Sequence, residues 1–221
     1  MTPTFDAITP HPEGVDPNEE LIHERAYVVR AYRKGFDTLV LRGAVRDQKP
    51  PGLYITDDPD PLTIHHMIVD LEIGVPSLDI TAAKAVLEIH PHTTCPRIEE
   101  HYGSLVGLSI ARGFTHKVRE LFGGPRGCTH TTALLQAMAP VAVQSLWSFH
   151  MAQARAAGHA TPFDTTEARQ GAVLANLNTC HVWIEGGEHV EGLLNDEPME
   201  VPLWVTKRSI ELGRDPSAWR T

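Results

Sequence analysis

The sequence predicts an α+β protein: an N-terminal antiparallel sheet packed by helices from the middle of the chain, with extended N- and C-terminal arms. Three observations carry that prediction. Between residues 21 and 89, apolar and polar side chains alternate in stretches separated by turn residues, as half-buried strands require. From residue 97 onward the apolar stretches lengthen and acquire helix stop signals such as Gly123-Gly124. The two ends are rich in proline and charge and show neither period. The hydrophobic fraction is 42% and the charged fraction 21%, so a real core is affordable and global disorder is excluded. The expected organisation is an arm over 1–20, one domain over 21–194 and a strap over 195–221.

Each element has its own signal. Ala26–Arg33 carries Tyr and Val at strand spacing, Lys34–Asp37 turns the chain, and Thr38–Arg46 is the second strand of a hairpin. Pro50-Pro-Gly52 breaks the chain after Lys49. Ile64–Ile73 is a third strand, in which His65 and His66 face opposite sides. Leu78–Ile89 is a fourth strand, with helix as the alternative because of its alanines. Arg97–Val106 and Thr115–Phe122 read as short helices. A long helix runs from Thr131 to about Ala157, and Pro140 is expected to kink or restart it. Trp147, Phe149 and Met151 in its second half suit packing better than cofactor contacts. Glu167–Leu177 is helical, Val182–Glu185 is a short strand or extended, and the tail with Pro198, Pro202 and Trp204 suits an extended strap.

Composition narrows the function. The net charge is −9 with no Lys/Arg cluster, which excludes a typical nucleic-acid binder. No run approaches the roughly 20 apolar residues of a membrane span. The start, Met1-Thr-Pro-Thr-Phe-Asp6, lacks the basic and apolar regions of a signal peptide, and the three cysteines make no disulfide framework. A cytoplasmic protein is expected. Thirteen histidines favour acid–base or metal chemistry.

The stretch Phe122-Gly-Gly-Pro-Arg-Gly-Cys-Thr-His130 is the sharpest feature. A glycine-rich turn that opens a helix leaves backbone N–H groups pointing outward beside the positive end of the helix dipole. Thr129 or Thr131 is a good N-cap there. The alternative is a tight turn with a buried small Cys and a capping His. Three chemistries compete. Cys95, Cys128 and Cys180 each lie near a histidine, although without the spacing of a metal motif. Cys128 at a helix start, with His130 or His181 as base, could be a nucleophile. Asp47, Lys49, His65 or His66, Tyr102, His130 and His181 could do acid–base work with no cofactor. The plainer reading of Asp47 and Lys49 is a surface ion pair worth less than about 1 kcal/mol.

The series Cys95-Pro96, Tyr102, Leu105-Val-Gly107, Gly113-Phe114, Phe122-Gly-Gly124 and Gly127-Cys-Thr-His130 resembles the bacterial family catalogued as domain of unknown function 2889. Arg46-Asp-Gln-Lys49 resembles its Thr-Asp-x-Lys segment, and His65-His66-Met67 its His-Asp-Met segment, with His66 where Asp is usual. Cys180-His181 resembles a pair near the family's C-terminus, so the likeness spans about residues 21–185. Thr132-Ala133 departs from the acidic residue usual there. The resemblance implies catabolism of aromatic compounds, lignin-derived dimers among them, by a formaldehyde-releasing lyase step. The absence of a P-loop or Rossmann glycine pattern in the sequence disfavours ATP-dependent or redox chemistry.

The expected catalytic residues are His130, Lys49, His65, His66, Tyr102 and Asp47, and the expected substrate contacts are Cys128, Thr129, His181 and Arg25. His130 is expected to be mainly neutral, because a helix N-terminus disfavours imidazolium. No metal and no cofactor are expected. The expected partners are an aromatic small molecule and a second copy of the chain, held by the extended ends; neither nucleic acid nor membrane is expected. The competing functions are a metal- or thiol-dependent hydrolase centred on Cys128, and a non-catalytic ligand-binding protein.

Overall fold

The computed structural model describes residues 16, 18–159, 165–195, 197 and 200–220. Most of the predicted N-terminal arm, residues 1–15 and 17, therefore lies outside the described residues, as does Pro198. The described chain forms two compact units. One holds the residues up to Tyr32 together with Thr38–Val141, and the other holds Arg33–Asp37 together with the residues from Ala142 on.

The first unit carries the sheet. Its strands are β1 (Glu24–Lys34), β2 (Thr38–Lys49), β3 (Leu62–Gly74) and β4 (Ile80–Ile89), hydrogen-bonded in the order β1-β2-β3-β4. The sheet is antiparallel across β2–β3 and β3–β4, so the α+β expectation holds. Leu39, Leu41, Val45, Met67, Val69, Leu71 and Ile73 share the buried face. In register, Leu41 faces Leu71, and Val45 faces Met67. Each such side chain contributes about 1.5–3 kcal/mol by leaving water. The alanines of β4 did not make it a helix, because pairing with β3 buries Ala85 and Leu87. A register shift opposite Glu72/Ile73 leaves Thr81 extra, which is why Ile80, of the other parity, is also buried.

Helices cover this face. A 3₁₀ segment over Cys95–Leu105, shorter in pitch than the helix expected there, buries Tyr102 and Leu105. Its Glu99 accepts a hydrogen bond from the Leu87 N–H at 2.6 Å, which satisfies a donor on the outer side of β4. Helix α1 (Phe114–Phe122) buries Phe114, Val118 and Phe122, one turn apart. Helix α2 (Thr129–Ala156) then starts, and its Leu134 and Met138 reach Gly43 on β2. A Cβ at Gly43 would stand 2.7 Å from Met138 Sδ, so this glycine sets how closely the helix approaches the strand. Pro140 neither ends nor restarts α2. One lost backbone bond is outweighed by the apolar anchors on both sides of it, Leu134, Leu135, Met138 and Ala142, all fully buried.

The second unit contains the rest of α2, α3 (Thr166–Asn176), α4 (Glu188–Leu194) and α5 (Leu203–Glu211). Val173, Val190 and Leu193 form its core, with Leu177 and Trp183 packed against them. Trp147 lies 6.2 Å from Trp183 between ring centroids, and Phe149 is buried, in keeping with packing roles. Two expectations are corrected here. Residues 181–183 form a 3₁₀ turn rather than a strand, because folding the chain back places Trp183 on that core. Part of the predicted C-terminal strap is helix α5: Pro202 presets its start and Val205 is buried.

Candidate functional site

The site grows from a single buried carboxylate. Asp47 continues the inward parity of Leu39, Leu41, Gly43 and Val45, so β2 delivers an acid to the end of the apolar face, where it is only 1% exposed. An isolated charge there would be costly, and it is paired. Arg25 of β1 grips it with two bonds, Nε to Oδ1 at 2.6 Å and Nη2 to Oδ2 at 2.7 Å. Such a fork fixes orientation as well as charge. Burial pushes the Asp47 carboxyl up, but Arg25 outweighs it and holds the group at about 2. The same hydrogen bonds raise the Arg25 guanidinium further still.

Two histidines converge on the same acid. His65 is opposite Asp47 in the β2–β3 register, so both project from one face. Its Nδ1 lies 3.3 Å from Oδ2, yet this nitrogen is buried without a well-directed hydrogen bond. His130, in the first turn of α2, places Nε2 3.1 Å from the same oxygen. The two rings stack with centroids 3.9 Å apart. Burial lowers the His130 pKa from its ordinary value, His65 lowers it further, and Asp47 acts in the opposite sense. The imidazole therefore favours its neutral form, as expected, with burial as the leading cause.

With Asp47 ionised, His130 presents a donor N–H at Nε2 to Oδ2, which leaves Nδ1 with its lone pair. Cys128 Sγ lies 3.7 Å from that nitrogen. Cys128 is the residue that caps α2: its carbonyl accepts from the Thr132 N–H at 2.9 Å. Neither Thr129 nor Thr131 takes that place, since both lie inside the helix. Thr129 is exposed, and Thr131 is buried. The Cys128 N–H is not free for an anion either, because it donates to the Tyr102 hydroxyl at 2.9 Å. Tyr102 is fully buried and stacks on Phe122 at 4.7 Å, and burial raises its phenol pKa. It holds the turn in place from behind. Gly127 is indispensable to the same turn, as a Cβ there would lie 2.5 Å from the Phe122 carbonyl oxygen.

Several sequence-based assignments change. His66 faces the other side of the sheet and pairs with Glu88, since it has the opposite parity to His65. Lys49 does not pair with Asp47. A bulge with Ile64 as the extra residue separates Asp47 from Gln48 in the register, and Lys49 Nζ donates to the Ile22 carbonyl at 3.4 Å. Arg25 uses its fork on Asp47 rather than standing open to substrate. His181 belongs to the second unit and is exposed. Sequence reasoning missed His23, whose Nε2 is 3.7 Å from Asp47 Oδ1. Its spacing of two from Arg25 was the available signal, because alternate residues of an extended chain share a face.

Among the described residues, no helix is long and apolar enough to cross a membrane. No curated protein and no solved structure matches the chain. A family model does, over residues 23–144, a stretch that includes Arg25, Asp47, His65, Tyr102, Cys128 and His130 and stops short of Cys180-His181. That stretch is more than half of the 221 residues, and the chain belongs to the family described as Protein of unknown function (DUF2889).

Proposed function

We propose that the protein is a cofactor-independent carbon–carbon lyase that releases formaldehyde from a primary alcohol on an aromatic small molecule, lignin-derived compounds among them. One observation carries the reading: a buried carboxylate, locked by Arg25, holds Nε2 of a neutral His130 and leaves Nδ1 as a base. His130 remains 16% exposed, so a substrate hydroxyl can approach it. The substrate class comes from the family resemblance, and the proton chemistry from the geometry.

In this reading Nδ1 takes the proton of the primary hydroxyl. The O–H electrons become the carbonyl π bond of formaldehyde, and the C–C bonding pair stays on the carbon left behind. A conjugated para-phenol ring accepts that charge, and the proton returns from the imidazole pair to the carbon. Imidazolium at His130 is transiently stabilised by Asp47, as a carboxylate supports a general base. The test is formaldehyde release from para-hydroxyphenyl compounds bearing a primary alcohol. Wild-type protein should release one equivalent, and His130→Ala should release far less. No release across such a panel, or equal release by the folded variant, would remove the proposal.

A second reading has its own observation. Asp47, His130 and Cys128 are arranged as orienter, base and thiol, the order a thiol hydrolase uses. The Tyr102 hydroxyl weighs against it, because it occupies the Cys128 N–H that would have to stabilise an oxyanion. Inactivation by iodoacetamide, together with complete loss in a folded Cys128→Ala variant, would favour the thiol.

A further inference from the structure

We infer that Asp47, His65 and His130 form a binding site for a single divalent transition-metal ion of the zinc class, and that its occupancy silences the base. The silencing rests on the function proposed above, and the site does not. Three ligand atoms meet at one point: Asp47 Oδ2, His65 Nδ1 and His130 Nε2 lie within 4.8 Å of one another. The two nitrogens stand 3.3 and 3.1 Å from the oxygen. Ligands in a tetrahedral zinc shell, with bonds of about 2.0–2.1 Å, lie about 3.3 Å apart. The carboxylate–imidazole edges of this triangle therefore already have the right length.

The second observation is the unpartnered nitrogen. Both imidazoles face Oδ2, which also accepts from Arg25 Nη2. Little room remains for two more N–H donors on that oxygen, and His65 Nδ1 is left buried without a bond. A cation at the meeting point would use Nδ1 and Nε2 as lone-pair donors and satisfy all three atoms together. Arg25 would remain on the carboxylate as the outer group that orients a metal ligand. The rings have to tilt to converge, because at present they stack with 28° between their planes. A bound ion takes the Nε2 lone pair of His130 and places Nδ1–H, a donor, where the base lone pair stood. It also removes the carboxylate's support for imidazolium.

Cobalt(II) titration of the metal-free full chain tests the site through visible absorption, independently of turnover. One saturable equivalent with a tetrahedral spectrum is expected, displaced by one equivalent of Zn²⁺. Binding should weaken about 100-fold or more in His65→Ala and in His130→Ala, a loss beyond that typical of outer-shell changes. It should persist in His66→Ala, which alters the other face of the strand. Zn²⁺ should abolish formaldehyde release with the same midpoint as it displaces cobalt. No saturable spectrum in wild-type protein, or one that survives both ligand variants, would overturn the site. Release that begins only when Zn²⁺ is added would overturn the silencing and the cofactor-independent reading together. If no formaldehyde is released under any condition, the cobalt spectra still decide the site alone.

Discussion

At the level of single residues, His130 does two things that one substitution can separate. It lies in the first turn of α2, and it contacts both Asp47 and Cys128. As the general base, its loss in His130→Ala should lower turnover by roughly 10²–10⁴-fold while the fold survives. As a helix-end residue alone, its loss would cost about 1 kcal/mol and leave turnover intact. Turnover and thermal midpoint measured on the same variant distinguish the two. The pH profile probes its neighbour. Burial and His65 both depress the His130 pKa, so the acidic limb of kcat/KM should fall below pH 6.5, the ordinary histidine value. His65→Ala removes one depressing charge and opens the site, and both changes move the limb upward. A limb that stays in place or moves downward in that variant would mean His130 is not the titrating base.

At the level of elements, the turn before α2 is the part that cannot vary. Gly127 is extended rather than left-handed, so its role is close approach: a Cβ would meet the Phe122 carbonyl oxygen at 2.5 Å and the Phe122 Cβ at 2.8 Å. Gly127→Ala should displace Cys128 and His130 and reduce turnover more than Gly43→Ala. The latter pushes only on the flexible Met138 and Leu134 and should cost about 1–3 kcal/mol in stability. Kinetics and denaturant unfolding of the pair give that comparison. These elements also show what a sequence discloses. The four strands were legible because one face is buried and period two is a strong signal. The same phase, read along Met67, Val69, Leu71 and Ile73, leads to His65 and away from His66. The bulge at Ile64 was not legible, since one extra residue leaves no compositional trace, and Lys49 was misplaced by it. The Arg25–Asp47 fork spans 22 residues of chain and depends on strand pairing, which composition does not reveal. Trp183 was read as extended because its packing against Val173, Val190 and Leu193 is tertiary.

On the scale of the whole molecule, the site makes stability depend on pH. Asp47 is the group that matters most, because it is buried and surrounded by Arg25, His23, His65 and His130. Its carboxyl is held at about 2 in the folded chain, against an ordinary 3.8. A depressed acid stabilises the fold fully above its unfolded value, and that contribution drains away as pH falls through the folded value. Between pH 4 and pH 2, the unfolded chain therefore binds a proton that the folded chain refuses. His130 adds an earlier slope of the same sign: its depressed pKa means the unfolded chain takes up a proton just below pH 6.5 before the folded chain does. The thermal midpoint should accordingly decline from about pH 6 downward and fall more steeply below pH 4. Asp47→Asn tests the assignment. It leaves Arg25 with a neutral partner, so the variant should start less stable near neutrality and show a shallower decline below pH 4. Parallel pH–stability curves for wild type and Asp47→Asn would locate the acid sensitivity among the other carboxylates of a chain with a net charge of −9.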